Sequence, residues 1–151
     1  MEIREGGLDD PQVIALLRLH AEGMLANSPP GSCHFLDLSG LKVPEVTFWS
    51  GWDGDALVVI GALKALSGTE GEIKSMRTAP AALRRGAGAA MLAHIVAEAQ
   101  ARGYARLSLE TGSAPAFDAA IALYRRFGFA ECGPFGDYRP DPFSRFLTRA
   151  L

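Results

Sequence analysis

Between Glu72 and Ala101 the chain runs through three kinds of sequence in succession. A strand-like segment, Glu72-Ile73-Lys74-Ser75-Met76-Arg77-Thr78, ends at Pro80. A short turn follows with Arg84, Arg85, Gly86 and Gly88, and then a long alanine-rich helix. Ala105 to Thr111 then alternates, with Leu107 and Leu109 on one face and Arg106, Ser108 and Glu110 on the other. A helix joining two strands in this way is a crossover, so strands 72–78 and 105–111 are expected to be parallel neighbours. That expectation constrains the fold more than any other feature.

The rest of the chain supplies the flanks. Residues 2–6 read as a short strand. Asp9 or Asp10 can cap a helix that has Pro11 at its first position. Val13, Leu16, Leu17, His20 and Met24 recur at helical spacing to about Ala26, with His20 as a partly buried structural residue. Residues 27–45 are irregular, with a short helix from about His34, and a loop of this length is a candidate lid or binding loop. Val46 to Trp52 reads as a strand, Asp53-Gly54 as a hairpin turn, and Ala56 to Leu66 as a central strand covered on both faces. Ser113 and Pro115 open a further helix, whose inward side carries Phe117, Ala120, Ile121, Tyr124 and Phe127. Gly128 ends it. Phe129 to Cys132 is a short strand, 133–142 a loop, and Ser144 to Leu151 a last strand. The order is βα, a β-meander, then αβαββ. The expected fold is α/β (α+β): a mixed, mostly antiparallel twisted sheet with a central parallel pair, helices on both faces, and one domain over residues 1–151.

Composition excludes several function classes. The chain has 151 residues, of which 48% are hydrophobic and 21% charged, as in a globular domain with a sizeable core. A net charge of −2 gives no basic footprint for nucleic acid. No apolar run reaches the roughly 20 residues of a membrane span. Met1-Glu2-Ile3-Arg4-Glu5 lacks a signal-peptide core, so a cytoplasmic location is expected. Cys33 and Cys132 read as free thiols. His20, His34 and His94 have no neighbours at ligand spacing, and no metal site is expected.

Arg84 and Arg85 stand where a helix begins, with no acidic residue in the first turn to complement its positive end. Free N–H groups at a helix start, with glycines allowing close approach, make an anion site. One reading is a phosphate or pyrophosphate between residues 84 and 89. The other is that Gly86 and Gly88 only let the helix lie close to the sheet while the arginines are solvated. A Walker A loop would need Gly-Lys-Ser/Thr, which is absent. A dinucleotide fingerprint would need a third glycine where Met91 stands, and would open the first βαβ unit.

Three blocks in order carry a family resemblance: Met76-Arg77-Thr78-Ala79-Pro80, then Arg84-Arg85-Gly86-Ala87-Gly88-Ala89-Ala90-Met91-Leu92, then Leu123-Tyr124-Arg125-Arg126-Phe127-Gly128-Phe129. In these the chain resembles the GNAT superfamily of acyl-CoA-dependent N-acetyltransferases. Ser28-Pro29-Pro30 through Leu38, with Leu107-Ser108-Leu109-Glu110-Thr111-Gly112, is similar to a bacterial branch of that family. Leu83 holds a place that is usually Arg or Gln, and Phe117 one that is often Asn.

The resemblance implies acetyl-CoA as co-substrate and direct transfer of its acetyl group to a primary amine of a small molecule or peptide. Backbone amides of Arg84, Arg85, Gly86, Ala87, Gly88 and Ala89 would cradle the pyrophosphate. Met76, Arg77 and Thr78 would bond the pantetheine as an added strand does, with Phe117 at a further contact to the coenzyme. Tyr124 would be the general acid. A base is expected at Glu72, where many members carry one, or at Glu110 on the neighbouring strand; either could instead bind a cationic substrate. The oxyanion donor would be a backbone N–H near Met76 or Arg77. His34, Asp37, Trp49, Lys74, Arg77 and Tyr138 are acceptor-pocket candidates, and Lys74 with Arg77 could hold a carboxylate on the acceptor. The family also suggests a homodimer. Two other readings stand beside this one: a non-catalytic acyl-CoA-binding module on the same fold, and a nucleotide-binding protein.

Overall fold

The computed structural model describes all residues, 1–151. Strand β1 (Glu2–Glu5) leads to helix α1 (Pro11–Ala26), the short α2 (Leu38–Leu41), and the meander β2 (Val46–Asp53), β3 (Ala56–Ala65) and β4 (Glu70–Thr78). Helix α3 (Ala87–Ala101), β5 (Arg106–Gly112), α4 (Asp118–Arg126), β6 (Ala130–Cys132) and β7 (Ser144–Ala150) complete the chain. One sheet has the order β1-β2-β3-β4-β5-β7-β6. Every neighbouring pair is antiparallel except β4 and β5, which run parallel with α3 crossing between them. The mixed sheet with a central parallel pair is therefore as expected from the crossover.

Local chemistry sets the boundaries. Asp10 accepts from the Gln12 N–H at 2.8 Å and Pro11 fills the first helical position, which fixes the start of α1. The second helix begins at Leu38 rather than near His34, because Asp37 caps it by accepting from the Gly40 N–H at 2.8 Å. Strand β4 begins two residues earlier than the sequence suggests, since Gly71 pairs with Ala65 on one side and Leu107 on the other. Helix α3 begins at Ala87 and not at the arginines: Arg84 has φ 64° and Gly86 φ 83°, left-handed values that end in a turn. Single turns of tighter helix cover Pro80–Ala82 and Pro115–Phe117.

Two apolar layers hold the helices. On one face Leu63, Ile73, Leu107, Leu109 and Leu147 bury against Met91, Leu92 and Ile95 of α3 and Tyr124 of α4. On the other, Phe48, Ile60 and Ala62 bury against Val13 and Leu16 of α1 and Leu41 of α2. Strand β3 is buried from Leu57 to Leu63, as its continuous apolar run requires. Gly61 permits the closest approach: a Cβ there would stand 2.9 Å from both the Met76 sulfur and Met91. No helix is long and apolar enough to cross a membrane.

Candidate active site

The sheet forks at its centre. Strands β4 and β5 are paired only from Glu70–Arg106 to Glu72–Ser108. Beyond that pair, residues 73–78 of β4 and 109–112 of β5 continue without a shared ladder. A bulge marks the divergence. Ser75 and Met76 together oppose the single residue Gly61, and Ser75 takes a left-handed φ of 56°. The extra residue changes which face each side chain meets. Met76 lies on the α3 face, near Gly61. Lys74 pairs with Ala62 and Arg77 with Ile60, so these two, three apart in sequence, both face α1.

The register also settles where the carboxylates point. Glu72 pairs with Lys64 and with Ser108, and Glu110 lies two residues beyond Ser108. Both acids therefore face the α1 side. Glu72 is 2% exposed. It accepts from the Tyr138 hydroxyl at 2.5 Å and from the Lys74 ammonium at 3.4 Å. The same ammonium donates to Tyr138 Oη at 2.9 Å and to the His34 carbonyl at 2.9 Å. Burial first, then the charge of Glu72, holds the Tyr138 phenol protonated far above its ordinary range. Glu110 has no such cation bound to it. Burial raises its pKa to about 7; the Ser144 hydroxyl and then Lys74 pull it down, and Glu72 and Asp141 push it up by less.

Two loops roof this face. The His34 imidazole stands edge-on to the Tyr138 ring at 5.2 Å, and Tyr138 rests in turn on Phe135 and Phe146. Ser32 donates to Asp141 at 2.5 Å and ties the loops together. Between them opens a cleft of about 810 Å³, lined by Cys33, His34, Glu72, Lys74, Tyr138 and Arg139 among others.

On the other side of the fork, Arg84, Arg85 and Gly86 are exposed in front of α3. No side chain caps this helix, whereas Asp10 and Asp37 cap α1 and α2. Ala87 is buried, and Gly88 and Ala89 are half-buried. Gly88 also has a reason of its own: a Cβ there would stand 3.3 Å from Thr78 Oγ1 and 3.6 Å from Leu123. Tyr124, 7% exposed, meets Phe129 edge-on at 5.9 Å, and burial alone raises its phenol well above the ordinary value.

The structure thus brings together Glu72, Lys74, Glu110, His34 and Tyr138, with Arg77 on the same face. It does not bring in three other candidates. Trp49 is 3% exposed on the α3 face, edge-on to His94, because β2 turns alternate residues into opposite cores. Asp37 spends its carboxylate on capping α2. Phe117 folds over Gly112 against Phe143, with ring centres 5.9 Å apart. Ser32 and Asp141, which tie the two loops over the cleft, are candidates that sequence reasoning missed; 109 positions separate them, and nothing local marks either.

A family model described as Acetyltransferase (GNAT) family matches residues 14–129. The chain is 53% identical over 149 residues to Uncharacterized N-acetyltransferase YedL of Escherichia coli, covering 99% of this chain and 94% of that one. It shares its fold with an acyl-CoA N-acyltransferase structure from Klebsiella pneumoniae (TM-score 0.82, 29% identity, 99% and 97% coverage). A GNAT acetyltransferase from Elizabethkingia anophelis, solved with acetyl-CoA bound, has the same fold at 18% identity (TM-score 0.70, 99% and 97% coverage). With the forked sheet, the uncapped α3 and the three sequence blocks all inside the matched span, the chain belongs to the GNAT family of acetyltransferases.

Proposed function

We propose that the protein transfers the acetyl group of acetyl-CoA directly to a primary amine of a small molecule or peptide at the fork between β4 and β5. The fork carries this reading: the ladder stops at Glu72–Ser108, and the two carboxylates of the acceptor face flank the opening. The free edge of Met76, Arg77 and Thr78 takes the pantetheine as an added strand. The N–H groups of residues 84–89 take the pyrophosphate, with Arg84 and Arg85 adding charge. The bulge at Ser75 and Met76 supports a backbone donor there for the carbonyl oxygen of the thioester.

In this mechanism the amine nitrogen attacks the thioester carbon. The C–N bond forms, the tetrahedral oxyanion collapses, and the C–S bond breaks. The amine's proton goes to Glu110. A base works best with a pKa near the working pH, which fits Glu110 at about 7. Glu72, bound by Tyr138 and Lys74, anchors the roof of the site instead. Tyr124 donates a hydrogen bond to the departing thiolate. Its burial keeps the O–H in place but makes complete proton loss to a thiolate, whose acid has a pKa of about 8.5, uphill.

The test is thiol release from acetyl-CoA across a panel of amines. Tyr124→Phe keeps coenzyme A affinity and loses turnover by about 100-fold. Absence of thiol release by the wild type with every amine, alongside intact coenzyme binding, would overturn the proposal.

A further inference from the structure

Arg77 is a half-buried cation that no acidic group of the chain neutralises. The seven ion pairs of the structure leave it out, and none of its guanidinium N–H groups donates within the chain. A guanidinium withdrawn from water without an acceptor is costly. Its position is nonetheless well defined. The bulge turns it toward α1, where it lies over Gly23; a Cβ on Gly23 would stand 3.2 Å from both terminal nitrogens. One turn earlier on α1, His20 is 9% exposed and its Nδ1 is buried without a partner.

We infer that Arg77 is the anchor for a carboxylate on the amine acceptor, so that the acceptor is an amino acid or another amine bearing a carboxylate. The inference rests on the acetyl-transfer reading above and names its substrate class. A planar guanidinium matches a carboxylate with two parallel hydrogen bonds. Lys74, its neighbour on this face of β4, is held by Glu72, Tyr138 and the His34 carbonyl. His20 is neutral at physiological pH, its pKa lowered to about 4 by burial and then by Arg77. Next to Gly23 and His20 the positive charge is therefore that of Arg77, while Lys64 and Arg139 line the cleft toward Glu72. Placement fits as well. Arg77 and Lys74 are about two strand residues apart along the α1 face, roughly 7 Å. A short molecule can then reach the guanidinium with its carboxylate while its amine lies toward the carboxylates of the fork. The backbone of Arg77, in contrast, belongs to the open strand edge that takes the coenzyme, so one residue serves both substrates through different atoms.

Calorimetric titration of the coenzyme A complex with the common amino acids and their carboxamides tests this without turnover. At least one amino acid is expected to bind tenfold or more tightly than its own carboxamide. Arg77→Met should reduce that ratio below threefold, Arg77→Lys should restore part of it, and coenzyme A affinity should be unchanged in both. Gly23→Ala is a second variant that favours helix α1 while crowding the guanidinium, and it should lower the same ratio. The inference is overturned if no amino acid outbinds its carboxamide, if the preference survives in Arg77→Met, or if that variant weakens coenzyme A itself tenfold. Thiol release with carboxylate-free amines alone would sink this inference and leave the transfer reading intact; no thiol release with any amine would sink the latter.

Discussion

Replacing Glu110 by Gln separates the two carboxylates of the fork. With a pKa of about 7, Glu110 is about 9% ionised at pH 6 and about 91% at pH 8. If it takes the amine's proton, kcat/KM of the wild type falls tenfold per pH unit below about 7. The glutamine variant has no such limb and is slower at pH 8 by about 100-fold or more. Stability moves the other way. The folded pKa lies above the unfolded value, so the native state holds the extra proton between pH 4.5 and about 7. The wild type therefore loses stability as pH rises through that window, and the loss is complete above it. The full linkage value of the shift is about 3 kcal/mol; the side chain is only half-buried, and screening by solvent reduces it to roughly 1–2 kcal/mol. At pH 8 Glu110→Gln should accordingly be more stable by that amount, and at pH 4 it should match the wild type. Urea unfolding at the two pH values reads the stability, and thiol release from pH 5.5 to 9 reads the rate. A variant that keeps the acidic limb and a kcat/KM within threefold of wild type would refute the assignment and return the base to Glu72.

Two further substitutions test the supports of the site. Tyr138→Phe removes the hydroxyl that donates to buried Glu72 and accepts from Lys74, costing about 1.5–3 kcal/mol in urea unfolding; a change under 0.5 kcal/mol would show that the two loops are held by their apolar contacts alone. Gly86→Ala imposes a side chain at φ 83°, where no neighbour lies within 4 Å, so its cost is conformational and about 1–2 kcal/mol. The variant should also bind coenzyme A more weakly by tenfold or more, and unchanged affinity in it would remove the turn before α3 from the coenzyme site.

What the sequence could show of this molecule follows from the range of the forces involved. The crossover, the hairpin at Asp53-Gly54 and the caps at Asp10 and Gly128 are local, and each is written in adjacent residues. The shared face of Glu72 and Glu110 needed the register of a parallel pair, which adjacent residues do not carry. Trp49 looked like a pocket residue because an aromatic in a strand has no sign of which face it meets; alternation along β2 sent it into the α3 core. The link from Ser32 to Asp141 joins two irregular loops, and no periodicity exists there to read.

The bulge at Ser75 was the most consequential of these hidden features. A regular strand would place Lys74 and Arg77 on opposite faces, three residues apart at a period of two. In that register Arg77 would enter the core beside Met91, and Met76 would turn toward α1. One extra residue opposite Gly61 exchanges them. It puts the sulfur in the apolar layer and the guanidinium on the α1 face, where it lacks a carboxylate of its own. Nothing in Lys74-Ser75-Met76-Arg77 marks a left-handed serine, but the exchange of faces gives a physical reason for it. The left-handed residue costs of order 1–3 kcal/mol, less than burying a guanidinium in an apolar core. Thus the strain that bends β4 away from β5 also decides which side chains look into the fork.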